Sequence, residues 1–565
     1  MAYFLKKTKQ KDRTYLAIYE SFYSPKTKGT VHKSFRACGS IEGNQKKGIL
    51  DPIAHYQAEV DALNQARQEE GTKQIEVQSP VRHLGYFPLA SILKRLKVKP
   101  YIDLYKLTTD FQFDLYELLS SLIYARSVHP CSKRKTFHTV LPQLYHPVHY
   151  SYNQLLDGLG FLGSNYEKIV ELFTAQVSEY YGIDTRTTYF DCTNFYFEID
   201  REDDFRKKGP CKANSKNPIV GLGLLLDQNQ LPIGMKLYPG NQSEKPVLRN
   251  VIDQLKRQNQ ITGRTIHVAD KGLNCAQNIY TSLKGGDGYL FSKSVKASSS
   301  KEKEWFLLDQ DWQSVTDKDG KVLYAYKSCI DDFTYTVQDN GLKKDITITE
   351  KRLLTFNPEL AKKQQVEIYK MVDKAESLRL SSAKKKAHGE SAKYLNFTDK
   401  AGKKAEVSIN QAAIEKDLLF AGMNLLVTSE LKMTDKDMYQ TYHNLWRIEE
   451  SFRVMKSDLD AQPVFVQRKD TIQGHFLICY LTVLLERIFQ FKILGDHYAT
   501  TTIFDFIKDF KVVQTEHHYT NITSYTDFIA ELAEYFDLPL TNYFLSETQI
   551  NSFFNKKLKA ITKTK

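Results

Sequence analysis

The sequence predicts a multidomain α/β protein: a mixed-sheet core split by a β-rich insertion, with an N-terminal αβ module, a helical domain and a helical C-terminal segment around it. Three observations lead there. At 565 residues the chain is too long for one core at the usual ~100–200 residues per domain. Apolar residues recur at three and four up to about residue 180, then give way to strand-like runs. Those runs stop near residue 295 and resume after 417, which marks the intervening block as an insertion.

The elements follow in order. YLAIYESFY and GTVHKSFRACGS, within residues 14–40, are rich in aromatic and β-branched residues and joined through Pro25 and Gly29, which predicts a basic hairpin. Asp51-Pro52 supplies an N-cap and a first-turn proline for a helix that stops at Gly71, completing a module over residues 1–75. Residues 76–180 read as a helical domain, with Leu115, Leu118, Leu119, Leu122 and Ile123 on one stripe. In residues 181–295, TTYFDCTNFYFEI, IVGLGLLL and PIGMKLYPG are strand-like, KPVLRNVIDQLKRQ is helical and RTIHVAD is a further strand. The insertion, residues 296–417, carries a hairpin signal at Asp319-Gly320, short strands FTYTV and DITI, and a helix begun by Asn357-Pro358. The core resumes over residues 418–495 with the strand MNLLVTS and one helix, TDKDMYQTYHNLWRIEESFRVMKSDL, capped by Thr434. Residues 496–565 are amphipathic, read as helical, and end in NKKLKAITKTK.

Composition narrows the partners. Lys and Arg number 79 against 67 Asp and Glu, an excess that attracts polyanions without identifying one. The seven cysteines are scattered, without CxxC or zinc spacing, which argues against a disulfide scaffold or structural zinc. The N-terminus has charge but no apolar signal region, and the most apolar stretch, residues 476–485, runs straight into Glu486 and Arg487. A buried helix is expected there, with no membrane association and a cytoplasmic location.

Two aspartates stand out. Asp191 interrupts an apolar and aromatic strand, where an unpaired charge is costly to bury, and Asp270 ends the run 266–269 at a strand tip, where α/β sheets place function. For each, a capping or turn aspartate is the plainer alternative. In the helix TYHNLWRIEESFRVMK, Tyr442, Glu449 and Lys456 lie seven residues apart and therefore on one face, although ordinary ion pairs such as Glu449 with Arg453 would also explain it.

YFDCTNFYFE, VADKG and the helix Tyr442-x2-Leu445-Trp446-x2-Glu449-x6-Lys456 resemble the three signature regions of the DDE transposases of bacterial insertion sequences, in the branch with a Tyr, Arg, Glu, Lys helix signature. The resemblance covers residues 181–490, and ESFYSPKTKG, KSFRACGSIE and PVFVQRKDTIQGHFLICYLTVLL extend it. It implies an RNase H-like core with Asp191, Asp270 and Glu449 as catalytic and metal-binding carboxylates for two Mg²⁺ ions, with Mn²⁺ able to substitute. The same site would cut at the element's ends and transfer the 3′ ends into target DNA. Tyr442, Lys456 and Arg453 are the expected DNA contacts. The implied partners are double-stranded DNA, as terminal inverted repeats and target, and a second copy in a synaptic homodimer that uses the C-terminal segment; DNA-bound protein would sit at the bacterial nucleoid. The N-terminal module and helical domain would recognise the repeats, and the insertion would shield the site. The signature arginine is Leu445 here, and Arg447 lies about 200° further round the helix. Trp305 and Trp312 read first as core aromatics, with base stacking as the alternative; Arg206-Lys207-Lys208 and Lys384-Lys385-Lys386 read first as solvated loops. Two other functions fit less of this pattern: an RNase H-like nuclease that cuts without joining, and a catalytically silent transposase-derived DNA binder.

Overall fold

The computed structural model describes residues 2–24, 29–71, 79–210, 216–258, 261, 263–379, 385–398, 406–515 and 518–561. Pro25, the expected boundary at 75/76, Cys211, Lys384 and the last four residues of the basic terminus lie outside the described residues. The chain divides into two compact units, Met1–Ser79 and Pro80–Lys565.

In the first unit, β1 (Ala2–Gln10), β2 (Arg13–Ser24) and β3 (Gly29–Ser40) form an antiparallel sheet in that order. β2 and β3 are the expected hairpin. β1 escapes the sequence reading because its second half, KKTKQ, is exposed on both faces and is held by its ladder with β2 rather than by alternate burial. Helix Pro52–Gly71 starts where expected, Asp51 Oδ1 accepting from the backbone N–H groups of Ile53 and Ala54. Leu16, Ile18 and Val60 form its small core.

The second unit opens with β4 (Val81–His83) and a helical region whose longer members are Leu115–Val128, Tyr152–Ser164 and Tyr166–Tyr181. The main strands follow: β5 (Thr187–Tyr196), β6 (Ile219–Leu226), β7 (Pro232–Pro239), β8 (Ile266–Ala269) and β9 (Gly288–Lys293). Within residues 296–417 come β10 (Gln313–Thr316), β11 (Val322–Asp339), β12 (Leu342–Phe356), β13 (Leu395–Thr398) and β14 (Glu406–Ile409), and then β15 (Met423–Thr428). One nine-stranded sheet runs β10-β11-β12-β15-β9-β8-β5-β6-β7, so β10 to β12 extend the core sheet, while β13 and β14 pair apart from it. β8 is parallel to both β5 and β9, whereas β6 is antiparallel to β5 and to β7.

The C-terminal segment departs from the all-helical expectation. Besides helices Thr500–Asp509, Asp527–Phe536 and Glu547–Asn555 it holds β16 (Lys511–Gln514), β17 (Tyr519–Asn521) and β18 (Phe544–Leu545), which join β4 in a sheet ordered β18-β17-β16-β4. These strands are too short for alternation to show in sequence.

Helix Lys469–Arg487 runs through the core, with every residue from 474 to 487 buried, as expected for the apolar stretch. No described helix is long and apolar enough to cross a membrane. It crosses Tyr152–Ser164 at backbone contact: a Cβ on Gly474 would stand 2.2 Å from Leu159 O, and one on Gly163 would stand 1.8 Å from Asp470 O. Its charged end is also buried. Arg487 Nη2 lies 3.3 Å from Glu450 Oε2, Arg487 Nη1 donates to Thr500 Oγ1 (3.0 Å), and Thr500 Oγ1 donates to Glu450 Oε1 (2.8 Å). Glu486 has no hydrogen-bond partner for either oxygen, and burial pushes its carboxyl up to about 7 despite Arg487 at 3.6 Å.

Two predictions follow from this helix. Gly474→Ala should lower stability by ~2 kcal/mol, the typical cost of overpacking, seen as a drop in the denaturant midpoint; an unchanged midpoint would mean the crossing has slack. For Glu486, the folded state binds the proton more tightly than the unfolded chain does, whose carboxyl titrates near 4.5, so its contribution to stability falls as pH rises from there through about 7. Glu486→Gln should therefore match wild type near pH 4 and exceed it at pH 8 by on the order of 3 kcal/mol, measured as the difference between the two unfolding curves across pH.

Candidate active site

β5 supplies the first carboxylate. Thr188 to Phe195 are buried except Asp191, which is partly exposed. Residues of opposite parity on this strand enter different cores: Tyr189 and Phe195 face the core that contains helix Lys469–Arg487, and Phe190 and Cys192 face the other. Asp191 shares the face of Tyr189 and Phe195, and its Oδ1 accepts from Cys192 N at 2.7 Å. In the parallel ladder of β5 with β8, Phe190 pairs with Ala269. Asp191 is the next residue on β5 and Asp270 the first residue past β8, so the two acids lie where that ladder ends. Asp270 Oδ1 accepts from Gly272 N at 2.8 Å, which fixes the turn just past β8.

A buried chain holds this register. Thr188 Oγ1 and His267 Nδ1 are 2.9 Å apart, His267 Nε2 and Asp287 Oδ2 are 2.9 Å apart, and Lys256 Nζ lies 2.5 Å from the same Oδ2. Burial pushes the Asp287 carboxyl up, but its bonds from His267 and Lys256 outweigh that and hold it below the usual range. Thr188, His267 and Asp287 have the look of a nucleophile, base and acid, but all three are at most 4 % exposed. Sealed from solvent, they tie β5 to β8. His267 was not singled out in the sequence because it sits inside an apolar run.

The expected single helix over residues 434–459 is two. Asp435–His443, capped by Thr434 Oγ1 accepting from Asp437 N, stops before Asn444 and Leu445; Trp446–Arg453 follows and continues as a π-helical turn, Val454–Asp458. The seven-residue spacing therefore does not describe one straight face. The residues converge all the same. Tyr442 is hydrogen-bonded to Ser292 on β9, and its hydroxyl is pushed up to about 12, first by burial and then by the charges of Asp270, Glu449 and Asp191. All three carboxylates thus act on one phenol. Glu449 is exposed, and no three His, Cys, Asp or Glu side chains among the described residues meet closely enough to hold a metal ion. In chemistry the set fits a hard divalent cation: three carboxylates, one on a strand, one just past a strand's end and one on a helix.

The neighbouring acid is excluded by its partners. Glu450 is bound by Thr500, Arg487 and Arg447; burial, the largest single effect, raises its carboxyl, and these groups together hold it below the usual value. Arg453 lies 3.6 Å from Glu450 rather than pairing with Glu449, with its side chain 54 % exposed. Lys456 Nζ donates to Thr193 Oγ1 at 2.7 Å and lies 5.3 Å from the Phe195 ring centroid, above the same face of β5 as Asp191. Thr193 was legible in principle, being two residues past Asp191 on a strand of period two.

Leu445 packs in the core, and Arg447 lies against the Trp446 ring and pairs with Asp496 at 2.5 Å, so it does not take the signature arginine's place. Trp305 and Trp312 are half-buried with Lys327 between them, which matches the core reading. Arg206 is paired with Asp203 at 2.6 Å, and the backbone of Lys207 pairs with Ile219.

Comparison with curated proteins finds no match to this chain. A family model described as the transposase DDE domain matches residues 185–485, from just before β5 to within helix Lys469–Arg487, a span that takes in Asp191, Asp270, Tyr442, Glu449 and Lys456. That match covers more than half of the chain, and the chain belongs to the transposase DDE domain family.

Proposed function

We propose that this transposase binds the terminal inverted repeats of its element, cuts DNA at the element's ends and joins the freed 3′ ends to target DNA, with Asp191, Asp270 and Glu449 as its catalytic carboxylates. The observation that carries the reading is the placement of Asp191 on β5 and Asp270 just past the end of the parallel strand β8, with both acids and Glu449 acting on the Tyr442 phenol. The order β7-β6-β5-β8-β9, antiparallel on one side of β5 and parallel on the other, supports an RNase H-like core. The basic sheet of the first unit and the helical region after it are the proposed readers of the repeats. A homodimer that holds two ends together is the proposed working form.

The three carboxylates would hold two Mg²⁺ ions, or Mn²⁺ in their place, which supply positive charge to the attacking and leaving oxygens of an in-line displacement. Asp191 is held in the sheet and Asp270 in the turn just past it, each with its Oδ1 bound to a backbone N–H. With its hydroxyl pushed up to about 12, Tyr442 stays protonated at neutral pH and serves as a hydrogen-bond donor to a phosphate oxygen rather than as a base. Lys456 adds a point charge beside it, and Arg453 a second one further out on the helix.

A second reading, a silent DNA binder, is favoured by one observation: Leu445, at the position of the signature arginine, is packed into the core. Cleavage and strand transfer on a labelled terminal-repeat duplex with Mg²⁺ separate the two. Asp191→Asn, Asp270→Asn and Glu449→Gln should each lose both steps by more than roughly 100-fold, the loss that even changes behind a metal ligand reach, while still binding DNA. Glu450→Gln should keep the chemistry and lose stability. Wild-type protein that binds but never cuts would leave the silent binder. Lys456→Ala should weaken binding to any sequence and reduce the slope of log affinity against log salt by about 0.9, read by fluorescence anisotropy; an unchanged slope would remove Lys456 from the DNA contacts.

A further inference from the structure

A cavity of about 290 Å³ lies between the end of helix Leu115–Val128, residues 131–133 and residues 460–466, with His475 on its wall. Three of its lining side chains are basic and almost fully buried: Arg126 and His475 are 5 % exposed and Lys133 6 %. Arg126 donates to two backbone carbonyls, Leu459 O at 3.3 Å and Cys131 O at 3.0 Å. His475 Nε2 sits 3.1 Å from Ala461 O. The Lys133 ammonium makes no ion pair among the described residues. Burial and the nearby Arg126 charge hold it down to about 7, and the only groups favouring its protonation are Cys479 and Cys131. Asp460, the acid on the wall, is exposed. Gln462 also lines the cavity, and its Oε1 is buried without a hydrogen-bond partner, so the opposite amide assignment would turn two donors toward the space.

Buried cations are normally paired, because desolvation is otherwise uncompensated. Here two cations and a histidine surround an open space, and among the described residues the acceptors bound to Arg126 and His475 are backbone carbonyls. We propose that this cavity is a phosphate site, in which Lys133 and Arg126 hold the oxyanion and Gln462 contributes further donors, and that its occupant in the working protein is a backbone phosphate of DNA. Three ammonium protons and a planar guanidinium suit a tetrahedral oxyanion. Only the choice of DNA as the source rests on the proposed function.

The test uses the full chain and inorganic phosphate as the probe. Thermal unfolding is followed in phosphate and in chloride at equal ionic strength for wild type, Lys133→Met and Lys133→Arg. Phosphate should raise the wild-type midpoint saturably, as a ligand of the folded state does. Lys133→Arg should keep that response, and Lys133→Met should lose it while unfolding in chloride at the wild-type temperature or above. Arg126→Gln is read in the same way, so the test survives if one variant does not fold. A wild-type midpoint indifferent to phosphate, or a full response in Lys133→Met, overturns the site. Duplex binding against salt then identifies the source. A slope reduced by about 0.9 in Lys133→Met assigns the site to DNA, and an unchanged slope with the phosphate response lost overturns that assignment in favour of free phosphate. Wild-type protein that never cuts DNA would sink the proposed function and leave the phosphate response standing.

Discussion

The backbone crossing of helix Lys469–Arg487 with Tyr152–Ser164 is the constraint from which the second unit is built. Glycine at 163 and 474 lets two helices approach to where a methyl group would overlap a carbonyl. The helix so placed reaches four neighbours: Phe476 lies 4.8 Å from the Phe195 ring of β5, Tyr480 donates to Pro232 O at the start of β7, His475 meets Ala461, and Arg487 meets Glu450 beside Glu449. Each buried Leu, Ile or Phe along it contributes about 1.5–3 kcal/mol relative to exposure. That surplus tolerates in the interior a Glu486 that has no hydrogen bond among the described residues.

This arrangement divides the candidate site into a fixed half and an adjustable half. Asp191 and Asp270 are set by strand register, and the Thr188, His267, Asp287 and Lys256 chain locks that register from inside the protein. Glu449 rides on a short helix between a break at Asn444 and Leu445 and a π-helical turn. Such turns recur where a helix is adapted to a site. The Glu450 network anchors the far side of that helix to the core and leaves Glu449 to face solvent. Two adjacent acids in the sequence thereby acquire opposite roles, one structural and one exposed at the site.

Much of this was legible in the residues. The strands β5 to β8, the Asp51 cap and the buried helix follow from periodicity and capping chemistry, and family resemblance picks out the acids Asp191, Asp270 and Glu449 as candidates. What failed did so for local reasons. β1 is held by backbone pairing and has no apolar face over its second half. The C-terminal strands span two to four residues. The interruption at Asn444 and Leu445 has no proline or glycine to announce it, because both residues keep helical φ and ψ and the periodicity continues across it. Asn340-Gly341, both with positive φ, closes the long β11 and β12 hairpin, a turn the reading of the residues passed over. That β11 and β12 extend the core sheet was not legible, since pairing partners across a sheet are chosen by long-range contacts that no local pattern records.

The site itself is an electrostatic load, and the structure shows how the load is carried. Neighbouring carboxylates repel one another, and the partly buried Tyr442 phenol beside them is hydrogen-bonded to Ser292. Asp191 and Asp270 each relieve their charge with a backbone N–H, and Glu449 relieves its own by exposure to water. Cations between them would reverse that balance, because each carboxylate would then gain by approaching a common point. DNA adds further negative charge, so the cations and the phosphate would favour each other's binding at this face, and Lys456, the cation above β5, stands where that added charge would be felt.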